Sequence, residues 1–286
     1  MEVLIIGGSG AYDLSLESFG EVIDSINMET PFGSANTIHI LKWDGYEFAF
    51  LSRHGDNRYS ITAPFVNYRA NIYAAKELGV ERIISWTGPG GMNENYEIGD
   101  YVIPDDIIDF TKNRKKTFFE NKGLGFIRQN PLFCPYLRGI IKESISSLNF
   151  PYHDGGVYIC TEGPRLETKA EIRFFKNIGG DMVGMTLVPE VFLSKELEIC
   201  YATICYITNY AEGIKELEYK KGVLFEGNLP DIYREKTENA VGSFPAIIKK
   251  ILKRVINKTR DCLCKDSMLR YKLRGYIEDD WRKWFK

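Results

Sequence analysis

At 286 residues, with 44% hydrophobic, 13% aromatic and 27% charged side chains, the chain can bury a substantial core. That mixture excludes a disordered, collagen-like or simple coiled-coil protein. The 37 lysines and arginines stand against 39 aspartates and glutamates, and a net charge of −2 supplies no global field for nucleic acid or an anionic membrane. Neither is expected as a partner. No run reaches the roughly 18 apolar residues of a membrane span, and MEVLIIGGSG lacks the basic segment and longer apolar core of a signal peptide, so a cytoplasmic location is expected.

Strand-like runs rich in β-branched and aromatic residues occur at Glu2 to Ile6, Asn36 to Lys42, Tyr46 to Leu51, Val80 to Ser85, Gly156 to Thr161 and Tyr201 to Thr208. They alternate with helix-like stretches without a repeat or linker, which predicts one α/β domain. The stretch Pro64 to Leu78 reads as a helix with Phe65, Tyr68, Ile72 and Ala75 on one face, stopped by Gly79. Later, Ile248, Ile251, Leu252 and Val255 recur at helical spacing, with Pro245 near the start. Lys249, Lys250, Lys253 and Arg254 fill the other face, read as solvated. The domain is drawn over 1–258, with 259–286 as an extension whose Tyr271, Tyr276, Trp281, Trp284 and Phe285 are expected to dock on the core or on a neighbouring subunit.

Loops after strand C-terminal ends gather ligands in α/β sheets, and three such exits here suit an anion. Gly7, Gly8, Ser9 and Gly10 follow the first strand and let backbone N–H groups and a hydroxyl approach closely. A plain tight turn or a dinucleotide loop are the other readings, although the third glycine position of GxGxxG is Asp13. Arg53 and His54 follow another strand, a fork that matches phosphate oxygens beside an imidazole that is either structural or functional. Thr87 and Gly88 open WTGPGG at a third exit.

The six cysteines are Cys134, Cys160, Cys200, Cys205, Cys262 and Cys264, and most are expected to pack as buried thiols. Only Cys262 and Cys264 are close in sequence. Their CxC lacks the second Cys or His pair of a zinc site, leaving two free thiols or, in a hyperthermophile, a disulfide.

The ordered set GGSG, SRHG, TGPGG, EGPRLETKAE, GMTLVPE and TNYAEG resembles the trimeric purine nucleoside phosphorylase and methylthioadenosine phosphorylase family over about residues 1 to 215. The resemblance implies a single α/β domain with a mixed, partly barrelled sheet flanked by helices. It implies phosphate attack at C1′ of a purine nucleoside, releasing free base and a ribose 1-phosphate. Inorganic phosphate is then a co-substrate, with no metal and no organic cofactor, and the assembly is a homotrimer or a dimer of trimers.

By the same resemblance Ser9, Arg53, His54, Thr87, Gly88 and Thr186 bind phosphate, and Met185 lies under the ribose. Asn209 faces the purine N7 as the catalytic donor to the departing base, with Leu166, Glu167 and Ala211 lining the base site. Methylthioadenosine enzymes carry Asp where this chain has Asn209 and Ala211. Glu167 falls where 6-oxopurine enzymes accept the base N1–H, which adenine lacks. The expected substrates are therefore 6-oxopurine nucleosides including 5′-methylthioinosine, with 5′-methylthioadenosine as the alternative. No histidine follows His153, so none is available late in the chain for a 5′-hydroxyl, and an apolar 5′ pocket is implied. Phe126 matches the loop that reaches an adjoining subunit's site. A nucleotide-binding oxidoreductase and a non-catalytic nucleoside binder are the readings from other classes.

Overall fold

The computed structural model describes residues 1–56, 59–215, 221–222 and 231–285. The strands are β1 Val3–Gly7, β2 Glu21–Ile26, β3 Glu29–Thr30, β4 Gly33–Ser34, β5 Ile38–Trp43, β6 Tyr46–Ser52, β7 Arg82–Thr87 and β8 Gly90–Gly91. They continue as β9 Tyr101–Ile103, β10 Asp106–Phe110, β11 Tyr152–Asp154, β12 Val157–Thr161, β13 Met182–Gly184, β14 Cys200–Tyr206 and β15 Asn209–Tyr210. An eight-stranded sheet runs β11-β9-β14-β7-β1-β6-β5-β2, and a five-stranded sheet runs β10-β12-β13-β8-β15.

Burial follows position in the large sheet. β1, β7 and β14 pair in parallel at its centre, and every residue of VLIIG, RIISWT and CYATICY is buried. Continuous apolar strands of this kind need cover on both faces. β2, at the edge, is mostly exposed. Burying a single Ile, Leu or Phe contributes about 1.5–3 kcal/mol, so these central strands carry much of the core.

Four chain segments pass from the large sheet to the small one through links of two residues: β7 to β8, β9 to β10, β11 to β12 and β14 to β15. Such bends make the mixed sheet partly barrelled, as expected. They demand small residues, because a Cβ at Gly88 would press on Thr208 and Tyr206, and Gly156 stands at φ +131 beside the Tyr96 hydroxyl. Thr87 and Asn209 both flank bends of this type, and the geometry of the site follows from that.

The predicted helix from Pro64 begins later. Pro64 lies in a 3-10 turn, Ala63–Phe65, and the α-helix α1 is Tyr68–Glu77 with Asn67 as its N-cap, accepting from the Ala70 N–H. Phe65 is therefore not on the buried face; it is 76% exposed, whereas Tyr68, Ile72 and Ala75 are buried. The helix Phe244–Val255 agrees with its pattern, with Pro245 in the first turn and Ile247, Ile248, Ile251, Leu252 and Val255 buried. Its basic face is not wholly solvated: Lys249 donates to the Ser18 carbonyl at 2.8 Å and Lys253 pairs with Asp44 at 2.8 Å.

The tail docks on its own chain. Trp284 and Tyr271 are buried, Trp281 packs on Tyr73 at 5.0 Å, and Phe285 packs against Phe118 at 5.4 Å. Tyr276 is exposed. Among the described residues no helix is long and apolar enough to cross a membrane.

Candidate active site

β1 ends at Gly7, and the chain turns into the short 3-10 segment Ser9–Asp13. A Cβ on Gly8 would stand 2.6 Å from the Trp86 carbonyl oxygen, 3.3 Å from Arg53 Nη1 and 3.3 Å from the Thr87 Cα. Glycine thus lets the first turn close against the exits of β6 and β7. Ser9 is exposed at the start of this turn.

Arg53 is fully buried. Its Nε donates to Glu190 Oε1 at 2.5 Å, Nη2 to Glu190 Oε2 at 3.0 Å and Nη1 to the Trp86 carbonyl at 3.0 Å. Burial opposes the guanidinium charge, but the Glu190 carboxylate more than offsets it and holds the Arg53 pKa above its ordinary value. Three of the five guanidinium N–H groups are thus committed to Glu190 and the Trp86 carbonyl. Glu190 also accepts from Tyr201 at 2.7 Å, and Tyr201 meets Ser85 at 2.8 Å, so a polar chain through the barrel interior fixes the fork.

Sequence paired His54 with Arg53 as a phosphate ligand, and the structure limits what the ring offers. Burial, and then the Arg53 charge, depress its pKa from 6.5 to about 3, so the imidazole is neutral at physiological pH. Nδ1–H donates to the Ile61 carbonyl at 2.8 Å, which leaves Nε2 as an acceptor. It brings no positive charge.

Thr87, the last residue of β7, and Thr186, just past β13, are buried with their hydroxyls 2.7 Å apart. The Tyr158 hydroxyl lies 3.3 Å from Thr186 Oγ1. Gly88 lies beyond Thr87 against Tyr206, and a Cβ on Gly10 would stand 2.6 Å from the Tyr206 hydroxyl. The exits of β1, β6, β7 and β13 therefore share one location.

Asn209 begins β15, paired in parallel with Gly90 of β8, and is buried. Its Oδ1 accepts from the Thr208 hydroxyl at 2.7 Å and its Nδ2 donates to the Tyr210 carbonyl at 2.9 Å. The two bonds orient the amide and leave a second Nδ2 hydrogen to donate. Glu167 accepts from the Thr161 hydroxyl at 2.5 Å, and the same hydroxyl lies 3.4 Å from the Gly184 carbonyl. That ties Glu167 to the residue before Met185, whose side chain presses on Gly163. Glu167 also lines a cleft of about 410 Å³ with Thr161, Gly163 and Phe174.

Leu166 is half-buried next to Glu167. Ala211 is buried in an apolar cluster with Met92, Ile159 and Phe175, and its N–H donates to the Gly91 carbonyl at 2.9 Å. It presents no polar side chain. Phe126 is not gathered with these groups; it is 78% exposed, in a groove with Leu124 and Phe192.

Two residues escaped the sequence reading. Glu190 lies inside GMTLVPE, and its conspicuous signal was a carboxylate within an apolar run. Arg114 is buried and donates to the carbonyls of Val188 at 2.6 Å, Thr161 at 3.1 Å and Glu162 at 2.8 Å, clamping the segments that carry Glu167 and Glu190. Nothing along the chain marked it.

The strand exits of this α/β fold thus bring together a buried, oriented guanidinium and paired hydroxyls, with a fixed amide at the neighbouring bend. The chain belongs to the phosphorylase superfamily, whose sequence model matches residues 2–253. It is 41% identical to the 6-oxopurine nucleoside phosphorylase of Pyrococcus furiosus, an alignment covering 93% of this chain and 97% of that protein. It is also 41% identical to a probable S-methyl-5′-thioinosine phosphorylase of Methanocaldococcus jannaschii, covering 92% and 96%. Among solved structures, a methylthioadenosine phosphorylase from an Antarctic soil metagenomic library superposes with a TM-score of 0.82 at 29% identity, over 93% of this chain and 90% of that one.

Proposed function

We propose that the enzyme cleaves 6-oxopurine nucleosides, 5′-methylthioinosine among them, by phosphorolysis. A phosphate oxygen bonds to C1′ as the C1′–N9 bond breaks, and the electron pair leaves with the base. The products are free purine and ribose 1-phosphate or its 5-methylthio form.

The observation that carries the base preference is the pairing of Glu167, a carboxylate acceptor, with Asn209, an amide that has a hydrogen to spare. A 6-oxopurine offers N1–H to Glu167 and N7 to Asn209. Adenine would set an acceptor against Glu167, a buried mismatch costing about 1–3 kcal/mol. Asn209 acts most as charge develops on the leaving base, so its bond strengthens in the transition state.

In this reading Ser9, Thr87, Thr186 and the Gly8 and Gly88 turns hold phosphate, with the two uncommitted Arg53 N–H groups supplying charge. His54 accepts a hydrogen bond from a protonated phosphate oxygen. Met185 packs under the ribose, and Leu166 and Ala211 wall the base. The phosphate dianion beneath C1′ stabilises the oxocarbenium-like transition state. No covalent enzyme intermediate is needed. The exposed Phe126 completes a neighbouring subunit's site in a homotrimer or a dimer of trimers.

Base release from inosine, 5′-methylthioinosine and 5′-methylthioadenosine, with and without phosphate, tests this. Phosphate-dependent release that is faster for the 6-oxopurines is expected. Faster turnover of methylthioadenosine would overturn the base assignment and leave the phosphorylase reading standing.

A further inference from the structure

Cys262 and Cys264 meet a second cysteine pair that is remote in sequence. Cys134 precedes the helix Pro135–Ser146, Cys200 opens β14, and Cys262 and Cys264 begin the C-terminal extension. The sulfur atoms of all four lie within 4.8 Å of one another. Cys200 Sγ and Cys262 Sγ are 3.3 Å apart, and no pair is bonded. Cys160 and Cys205 are buried elsewhere in the core.

We propose that these four thiolates bind one zinc ion, a structural site separate from the active site. Zinc held tetrahedrally at a Zn–S distance of about 2.3 Å requires ligand sulfurs roughly 3.8 Å apart, which falls within the observed spread. A disulfide needs sulfurs about 2.0 Å apart. Zinc suits an all-thiolate set because soft ligands select it, and a closed tetrahedral site of four cysteines leaves no open position for catalysis. The inference departs from the expectation that the protein holds no metal.

The surroundings suit a tetrathiolate, which carries excess negative charge. The buried Lys195 donates to the Pro131 carbonyl at 2.5 Å, three residues from Cys134, and supplies a nearby cation, while Arg82, the register partner of Cys200, is paired with Glu2 and Glu81 at 3.3 Å. The Cys134 N–H donates to the Tyr201 carbonyl at 2.9 Å, which fixes one ligand segment on another. The ion would join the start of the extension to the sheet. Just beyond it, Ser267 donates to the Lys195 carbonyl at 2.6 Å and Lys272 to Glu198 at 2.6 Å.

Metal analysis of the full-length protein, purified with reductant and equilibrated with zinc alone, should give one tightly bound ion per chain. Cobalt substitution should produce the intense visible bands of a tetrahedral thiolate complex. The Cys262→Ser, Cys264→Ser double variant should lose the ion and melt at a lower temperature, with kcat/KM for phosphorolysis unchanged. Wild-type protein that stays metal-free overturns the proposal, whether its four sulfurs are free thiols or two disulfides by mass. Retention of zinc by the double variant also overturns it.

Discussion

The two ends of β14 do different work. At its N-terminal end, Cys200 joins three other sulfurs from distant parts of the chain. At its C-terminal end, Tyr206 leads through a two-residue bend to Asn209, beside the glycine turns of the candidate active site. Six residues at about 3.3 Å each separate the two by roughly 20 Å. One end gathers soft ligands suited to holding structure, the other hard donors suited to an anion and a base. On the two proposed assignments, one buried strand serves stability at one end and chemistry at the other.

The variants that break this contrast follow in order of effect. Glu190→Ala strands the Arg53 guanidinium in a fully buried position, and removing one member of such a pair costs about 3–5 kcal/mol. Chemical denaturation should show that loss, together with a raised KM for phosphate. If stability were unchanged, Arg53 would not depend on Glu190. Asn209→Ala removes the donor to the departing base and should lower kcat/KM by about 3 kcal/mol, a hundredfold or more, beside a smaller stability loss of about 1–3 kcal/mol from the Tyr210 carbonyl and Thr208 hydroxyl it leaves unpaired. Equal losses in kcat and in phosphate affinity would contradict its placement at the base.

Glu167→Gln should narrow the ratio of kcat/KM for inosine over adenosine by about 1–3 kcal/mol, since an amide can turn to suit either base. An unchanged ratio would remove Glu167 from base recognition. The last effect is on pH dependence. As pH falls below 6.5, the unfolded chain protonates its histidine while folded His54 resists until about 3. Stability from this residue is present above 6.5 and lost across that window, by up to about 1.4 kcal/mol per pH unit. His54→Asn should flatten the acid limb of a stability profile measured by urea melts.

How legible each region was in the sequence follows from how it is built. Ser9, Arg53 and Thr87 sit in short motifs at strand exits, so local patterns exposed them, whereas Thr186 and Asn209 came only from the family resemblance. Six strands, β1, β5, β6, β7, β12 and β14, were read within one or two residues because β-branched runs mark buried strands directly, whereas the exposed edge strand β2 and the short strands of the small sheet carry no such run. Arg114 and the sulfur cluster were hidden for the opposite reason. Arg114 works through carbonyls of Thr161, Glu162 and Val188, which have no sequence signature. Cys134 and Cys200 approach Cys262 and Cys264 only through sheet and helix packing. Phe65 misled because helical spacing continued through Pro64, where the chain forms a separate turn.

The position of a bound anion tests the central claim most directly. Crystals grown with sulfate should place the ion against the Gly8 and Ser9 turn, within hydrogen-bond reach of the Thr87 and Thr186 hydroxyls and of Arg53. Sulfate bound away from these residues, with Thr87 and Arg53 facing separate spaces, would contradict it.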